Sequence, residues 1–331
     1  MQLASTNKRI LINQINNIMA NPKNLSRRKF VSVMSGGSLA AGIAATLPAL
    51  GDVTHDNNDF PGSNPGIIDT NVNLFKWPFR RMKYGETRSL VAKLRKHRIT
   101  KAWAGNFEAL FSKSINDVNA RLAKECRVNG EGILIPFGTV NPAWPDWEED
   151  LRRCHEVHRM PGIRLYPTYQ TFDLNHPEIP RLMSQASERG LIIQIVGDME
   201  DSRVHHPIVL TRELSFDPLV EILKNIPKAK VQLLCWNERV SNELLKKLVS
   251  ETSIVLDISW LESVGALGRM IEGNRWSGPE TPVPVERLLF GSHAPLFPVE
   301  TAVIKLFESP LTLEQMKAVM NVNAGRFIKH V

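Results

Sequence analysis

The chain has 331 residues, 43% hydrophobic and 23% charged, the composition of a globular protein with a sizeable core rather than of a disordered or fibrous one. Its net charge of +7 does not signal a nucleic-acid partner, because six Lys/Arg and no acid fall within residues 1–51, leaving 35 basic against 34 acidic side chains elsewhere. Cys126, Cys154 and Cys235 show no Cys-x-x-Cys spacing, which argues against a zinc knuckle or a redox pair and reads as three small buried hydrophobes.

The first element is a leader. Ser26-Arg27-Arg28-Lys29-Phe30-Val31 opens a weakly apolar stretch, 31–50, that Gly36, Gly37 and Gly42 dilute. A basic start, an apolar centre and small residues near Ala49 and Gly51 are the parts of a secretory signal. The motif resembles a twin-arginine export signal, which implies a periplasmic or otherwise exported protein with residues 1–51 as its signal peptide. About 20 such residues would also span a bilayer. The glycines and the paired arginines favour export, and no stable membrane span is expected once the signal is removed. Residues 52–65, rich in Gly, Asn, Pro and Asp, read as a linker.

From residue 66 onward, short apolar runs alternate with amphipathic segments. Strands are predicted at 67–74, 101–104, 132–137, 162–165, 191–196, 230–234, 254–257 and 288–291. Helices are predicted at 87–97, 114–128, 146–158, 178–189, 217–225, 238–249, 262–272 and 299–308, with a last one at 313–320. In 238–249, Val240, Leu244, Leu245, Leu248 and Val249 recur at three- and four-residue steps, one face of a helix. Eight apolar strands interleaved with helices predict an α/β protein whose parallel strands are covered outside, a single-domain (β/α)8 TIM barrel over 66–331. No Gly-x-Gly-x-x-Gly follows the first strand, so a doubly wound dinucleotide-binding sheet loses its main support.

Several segments carry a more specific likeness. Ile67-Ile68-Asp69-Thr70-Asn71-Val72-Asn73 is similar to the Ile-Asp-x-His-x-His opening of the amidohydrolase-related (amidohydrolase-2) family. Pro161-Gly162-Ile163-Arg164-Leu165-Tyr166-Pro167 resembles its fourth-strand segment, and Gly190-Leu191-Ile192-Ile193-Gln194-Ile195 its fifth. Arg287-Leu288-Leu289-Phe290-Gly291-Ser292-His293-Ala294-Pro295 resembles the eighth strand, and Asn321-Val322-Asn323-Ala324-Gly325-Arg326-Phe327 the closing motif. The family's metal ligands are replaced throughout. Asn71 and Asn73 stand for two histidines, Gln194 for a third, and Cys235-Trp236-Asn237 occupies the region of a fourth; His293 replaces the catalytic aspartate.

The resemblance implies a hydrolase, or a decarboxylase, acting on a small polar or anionic compound at the C-terminal mouth of the barrel, with a degenerate metal centre. His293 is the expected acid/base, since an imidazole with pKa near 6.5 gives or takes a proton at neutral pH. Asn71, Asn73, Gln194, Trp236 and Asn237 would hold the substrate, and Arg164 would clamp its anionic group. A divalent metal such as zinc lacks its usual ligands. To bind one, Asp201 and His206, in the Asp/Glu/His-rich loop 198–206, would have to fold over the mouth and join His293. Trp77-Pro78-Phe79-Arg80-Arg81 reads either as an aromatic wall over the mouth or as a seal. The opposing reading is a catalytically silent barrel that binds or scaffolds. A glycoside hydrolase would need two carboxylates at strand ends, and only the strand at 254–257 ends in an acid. A small molecule is the expected partner, and a homo-oligomer is compatible with the sequence.

Overall fold

The computed structural model describes residues 66–209, 211, 214–236, 240–273 and 281–329. The proposed signal, the linker and Asn237 lie outside them. The strands are β1 (Ile67–Leu74), β2 (Ile99–Asn106), β3 (Leu134–Pro136), β4 (Gly138–Thr139), β5 (Gly162–Leu165), β6 (Ile192–Val196), β7 (Lys230–Leu234), β8 (Val255–Asp257) and β9 (Leu288–Leu289). They pair in chain order and in parallel, β1 to β3 and β4 to β9. β3 and β4 are one stave interrupted at Phe137, whose N–H still donates to Ala104 O. The ring closes where Thr70 N–H reaches Phe290 O, His293 N–H reaches Asn71 O and Asn73 N–H reaches Ala294 O. This is the expected (β/α)8 barrel.

Between and after the strands come α1 (Thr87–Lys96), α2 (Ile115–Asn129), α3 (Trp147–Glu156), α4 (Glu178–Glu188), α5 (Pro218–Asn225), α6 (Asn242–Glu251), α7 (Ala266–Glu272) and α8 (Val299–Glu308). α6 starts later than its apolar pattern because the Ser241 side chain accepts the Leu244 N–H and caps the helix there. The tail differs more from expectation. Instead of one helix at 313–320, α9 (Leu313–Lys317) passes through a π-helical segment, Ala318–Val322, into α10 (Asn323–Lys329). Two anchors hold it there: Val319 O accepts the Phe290 N–H, and Asn323 Nδ2 donates to Val285 O and Leu288 O.

Strand alternation sorts the side chains into shells. Ile163, Leu165, Ile193, Ile195, Val231 and Leu233 face outward and pack with Leu182, Leu219, Leu223 and Leu248 of the helices. Each such buried side chain contributes roughly 1.5–3 kcal/mol relative to an exposed one. Inside, the floor of the barrel is apolar: Trp103, Phe137, Ile192, Val255 and Leu289 meet Ala324 of α10. Above that floor the interior turns polar. A register shift in β1 between Asp69 and Val72 makes the change, because it resets the alternation. Ile68 packs against the floor and Thr70 joins the polar interior, and Asn71, within the shift, and Asn73, beyond it, also turn inward.

Candidate active site

Two polar layers are stacked in the barrel. The lower one is built on Arg164, which is fully buried. Its Nε donates to Gln194 Oε1 (2.8 Å), Nη1 to Val72 O and Asn73 Oδ1 (both 2.9 Å), and Nη2 to Trp103 O (3.1 Å) and Thr70 O (3.5 Å). A guanidinium has five N–H donors, and all are used. Gln194 is equally committed, since its Nε2 donates to Thr70 O and Gln232 Oε1, both at 2.8 Å. Gln232 Nε2 in turn donates to Thr70 Oγ1 (2.7 Å). Space for the Arg164 head comes from Gly105, where a Cβ would stand 2.5 Å from Nη1 and 2.6 Å from the Tyr166 hydroxyl oxygen. These contacts correct two expectations: Arg164 has no donor left for a substrate anion, and Gln194 holds the barrel together rather than a ligand.

The upper layer lies at the C-terminal tips of the strands, where barrels of this class carry their sites. It joins Asn71 of β1, Cys235 just past β7, Asp257 at the end of β8, Ser259 and His293. Asn71 Nδ2 lies 2.9 Å from Asp257 Oδ2, 3.3 Å from Cys235 Sγ and 3.4 Å from Ser259 Oγ. Asp257 Oδ1 accepts the Cys235 N–H at 3.0 Å. His293 Nε2 is 2.7 Å from Met199 O, and Nδ1 is 3.4 Å from Cys235 Sγ. A carbonyl only accepts, so Nε2 carries the proton; in the neutral ring Nδ1 keeps its lone pair and accepts the thiol S–H. Cys235 and His293 both take left-handed backbone conformations, φ +50° and +59°. Such conformations in non-glycine residues cost about 1–3 kcal/mol each and cluster at functional sites.

Burial governs protonation here. It pushes His293 down to about 4, with the positive charges of Arg164, Arg80 and Lys305 acting in the same direction. Burial also raises Asp257, and it raises the Cys235 thiol, to which the Asp257 charge adds. Asp69 is pushed up to about 7 by burial, although its Oδ1 accepts the N–H groups of Asn71 (3.1 Å) and Ser292 (2.9 Å). At neutral pH the layer therefore holds a neutral imidazole beside a neutral thiol.

The layer is roofed. Trp77, Met199, Trp260 and Leu296 are buried in one cluster with Cys235, and Phe297 packs edge-on to the His293 ring at 5.1 Å between centroids. Trp77-Pro78-Phe79 thus seals the barrel, with Trp77 Nε1 donating to Glu200 Oε2 at 2.9 Å. Outside the roof, the segment between β1 and α1 borders a cleft of about 820 Å³ whose lining includes Lys76, Arg80, Arg81 and Lys83 with Glu86. Trp77 is shared by the cleft and the buried cluster.

Of the expected site residues, Asn71 and His293 meet through Cys235, and Asn73 bridges to the lower layer through its oxygen. Trp236 does not line the mouth; it packs into the outer shell and donates Nε1–H to Asp257 O. Nor do Asp201 and His206 reach His293. Asp201 accepts from Arg203, and His206 stacks on Phe79 at 5.4 Å, leaving the 198–206 loop to contribute the Met199 carbonyl instead. The donor set does not fit a divalent metal. Asn71 turns the N–H end of its amide toward Sγ and Asp257 Oδ2, placing hydrogens where a cation would need lone pairs. Among the described residues no group of three or more His, Cys, Asp or Glu could hold a metal ion. The sequence places Cys235 at a ligand position of the family and Asp257 at a strand end without giving either a role, and it passes over Ser259. Their signal was position, at or just beyond the end of an apolar strand.

No protein-family model matches the sequence, and no curated protein does. Solved structures do match. One is 2,6-dihydroxybenzoate decarboxylase in complex with 2,6-dihydroxybenzoate: TM-score 0.59, 14% identity, 80% of this chain and 99% of that one. A second is a dihydroxybenzoic acid decarboxylase from Polaromonas with bound manganese and the inhibitor 2-nitroresorcinol: TM-score 0.60, 13% identity, 80% and 97% coverage. A third is an uncharacterised TIM-barrel protein from Bordetella bronchiseptica: TM-score 0.57, 12% identity, 80% and 98% coverage. The shared fold is the TIM barrel. At such identities the likeness speaks for architecture alone, and function must be argued from the site.

Proposed function

We propose that this protein is a hydrolase, or a decarboxylase, of small anionic compounds, with its reaction centre in the upper polar layer and His293 as the acid/base. The observation that carries this is the orientation of His293. Its Nε2–H is fixed by Met199 O, so the Nδ1 lone pair faces Cys235 within a cluster that also holds Asn71, Asp257 and Ser259. A base held neutral and oriented by a second hydrogen bond is equipped to move a proton at that atom. The cationic cleft beside Trp77 supports an anionic substrate. The decarboxylases that share the fold act on small aromatic acids by their names, which supports the same class. The roof must lift to admit a substrate.

A screen of lactones, amides and aromatic carboxylates tests the proposal, followed by His293→Asn, since asparagine tolerates the left-handed backbone. Turnover is expected to fall at least ~100-fold while the unfolding transition persists. Unchanged turnover would remove His293 from the reaction. The complete burial of the layer favours one second reading, the silent barrel. That reading expects wild-type protein to turn over nothing in the screen while aromatic carboxylates still bind by calorimetry.

The export reading is likewise proposed, on Ser26-Arg27-Arg28-Lys29-Phe30-Val31 and the glycine-diluted apolar stretch behind it. No helix among the described residues is long and apolar enough to cross a membrane. Replacing Arg27 and Arg28 by lysine should hold the protein in the cytoplasmic fraction; unchanged fractionation would count against a twin-arginine route.

A further inference from the structure

The three cysteines are all free and buried, yet their surroundings differ. Cys126 on α2 and Cys154 on α3 belong to the apolar outer shell; burial raises all three thiols, Cys235 included, so what sets them apart is their neighbours. The hydrogen bond found at Cys154 comes from Asn119 Nδ2, at 3.3 Å. Cys235 instead stands at the tip of a barrel strand with φ +50°, 3.4 Å from the imidazole nitrogen that can take its proton. The base is itself oriented, by Met199 O. Nucleophile, base and orienting group are thus in sequence.

A separate observation points to a ligand. Asn73 Nδ2 and Trp260 Nε1 are buried N–H donors with no partner. Asn73 follows Asn71 by two residues, Trp260 adjoins Ser259, and Asn71 and Ser259 both approach Cys235 Sγ. Trp260 also shares a buried cluster with Cys235. Unmatched buried donors each cost about 1–3 kcal/mol, which an acceptor oxygen on a ligand would recover.

We propose that Cys235 is a nucleophile activated by His293, and that its substrate is a small carboxylic ester or lactone. The inference rests on the hydrolase side of the function proposed above. The thiol sulfur bonds to the acyl carbon as its proton passes to His293 Nδ1. The C–O bond then breaks, and Nδ1 returns that proton to the leaving oxygen. Water attacks the thioester, with Nδ1 taking its proton; the S–C bond breaks, the sulfur regains a proton, and a carboxylic acid departs. Asn73 Nδ2 and Trp260 Nε1 are the donors available to the acyl oxygen during both attacks.

The test exposes the intact chain to p-nitrophenyl acetate, quenches in acid and maps acetylation by peptide mass. One acetyl group on Cys235 is expected, with Cys126 and Cys154 unmodified. His293→Asn should slow the acetylation at least ~100-fold. Cys235→Ser, close in shape and still able to bond Asn71, should lose ester turnover to a similar extent while keeping the unfolding midpoint. An unmodified Cys235, or equal labelling of all three cysteines, would overturn the proposal. So would unchanged turnover in Cys235→Ser, and if His293→Asn were inactive in the same assay, the hydrolase reading would survive without its nucleophile. Selective acetylation without turnover would support the nucleophile and count against the hydrolase.

Discussion

The two polar layers of the barrel are neighbours, both buried, and differ in how completely their groups are paired. In the lower layer every N–H of Arg164 ends on a neutral acceptor, and the Gln194 and Gln232 amides donate to Thr70. Below the lower layer one buried donor, Trp103 Nε1, lacks a partner; in and beside the upper layer Asn73 Nδ2 and Trp260 Nε1 lack one, and two residues hold left-handed backbone. A saturated polar network stiffens a core. An unsaturated one keeps bonding capacity that only a ligand or a reaction can use. Arg164, the residue most suggestive of an anion clamp, belongs to the scaffold, whereas Cys235, which reads as a hydrophobe, belongs with the chemistry.

The largest effect should come from emptying the lower layer. Arg164→Leu strands Gln194 Oε1 and takes one donor from Asn73 Oδ1 and from the carbonyls of Thr70, Val72 and Trp103, and should cost about 4 kcal/mol of stability. A urea titration measures it; a loss under about 1 kcal/mol would show that the network is not structural.

Next comes pH. His293 is depressed to about 4 from 6.5, so the unfolded chain binds the extra proton and stability falls as pH drops from about 6.5 to 4. Asp69 is raised to about 7 from 3.8, so the folded chain binds more protons there and stability falls as pH climbs through the same window. The two slopes oppose each other in the wild type. Asp257 and Asp150, also raised by burial, add to the falling slope in every variant. Relative to the wild type, Asp69→Asn should therefore make the slope of stability against pH more positive by up to ~1.4 kcal/mol per pH unit between pH 4 and 6.5, and His293→Asn should make it more negative by as much. Unfolding midpoints across pH 4–7 give both signs.

Gly105→Ala forces a methyl group against Arg164 and Tyr166 and should cost roughly 1–3 kcal/mol. The smallest effect should follow Arg181→Ala. It removes exposed ion pairs with Glu148 and Glu178 and a guanidinium contact with the Trp147 ring, all on the outer helices, and should move stability by no more than about 1 kcal/mol.

Chain pattern alone located the barrel, because continuous apolar runs between amphipathic segments have few other solutions. β1, β5 and β7 begin and end where the sequence places them. The register shift in β1 left no mark in the pattern, although it decides that both Asn71 and Asn73 turn inward. Side-chain commitments were equally hidden: a lone Arg164 reads as a free cation until the acceptors from β1, β2 and β6 converge on it. The 198–206 loop misled for a related reason. Its acids and histidines drew attention, while its contribution to the site is a backbone carbonyl, which every residue carries.

The state of His293 is the most direct test of the upper layer. Nitrogen-15 NMR of the imidazole at pH 6–7 should show a neutral ring protonated at Nε2, with Nδ1 free of metal, titrating only near pH 4. An imidazolium at pH 6, a proton on Nδ1, or a metal-shifted Nδ1 resonance would contradict that arrangement.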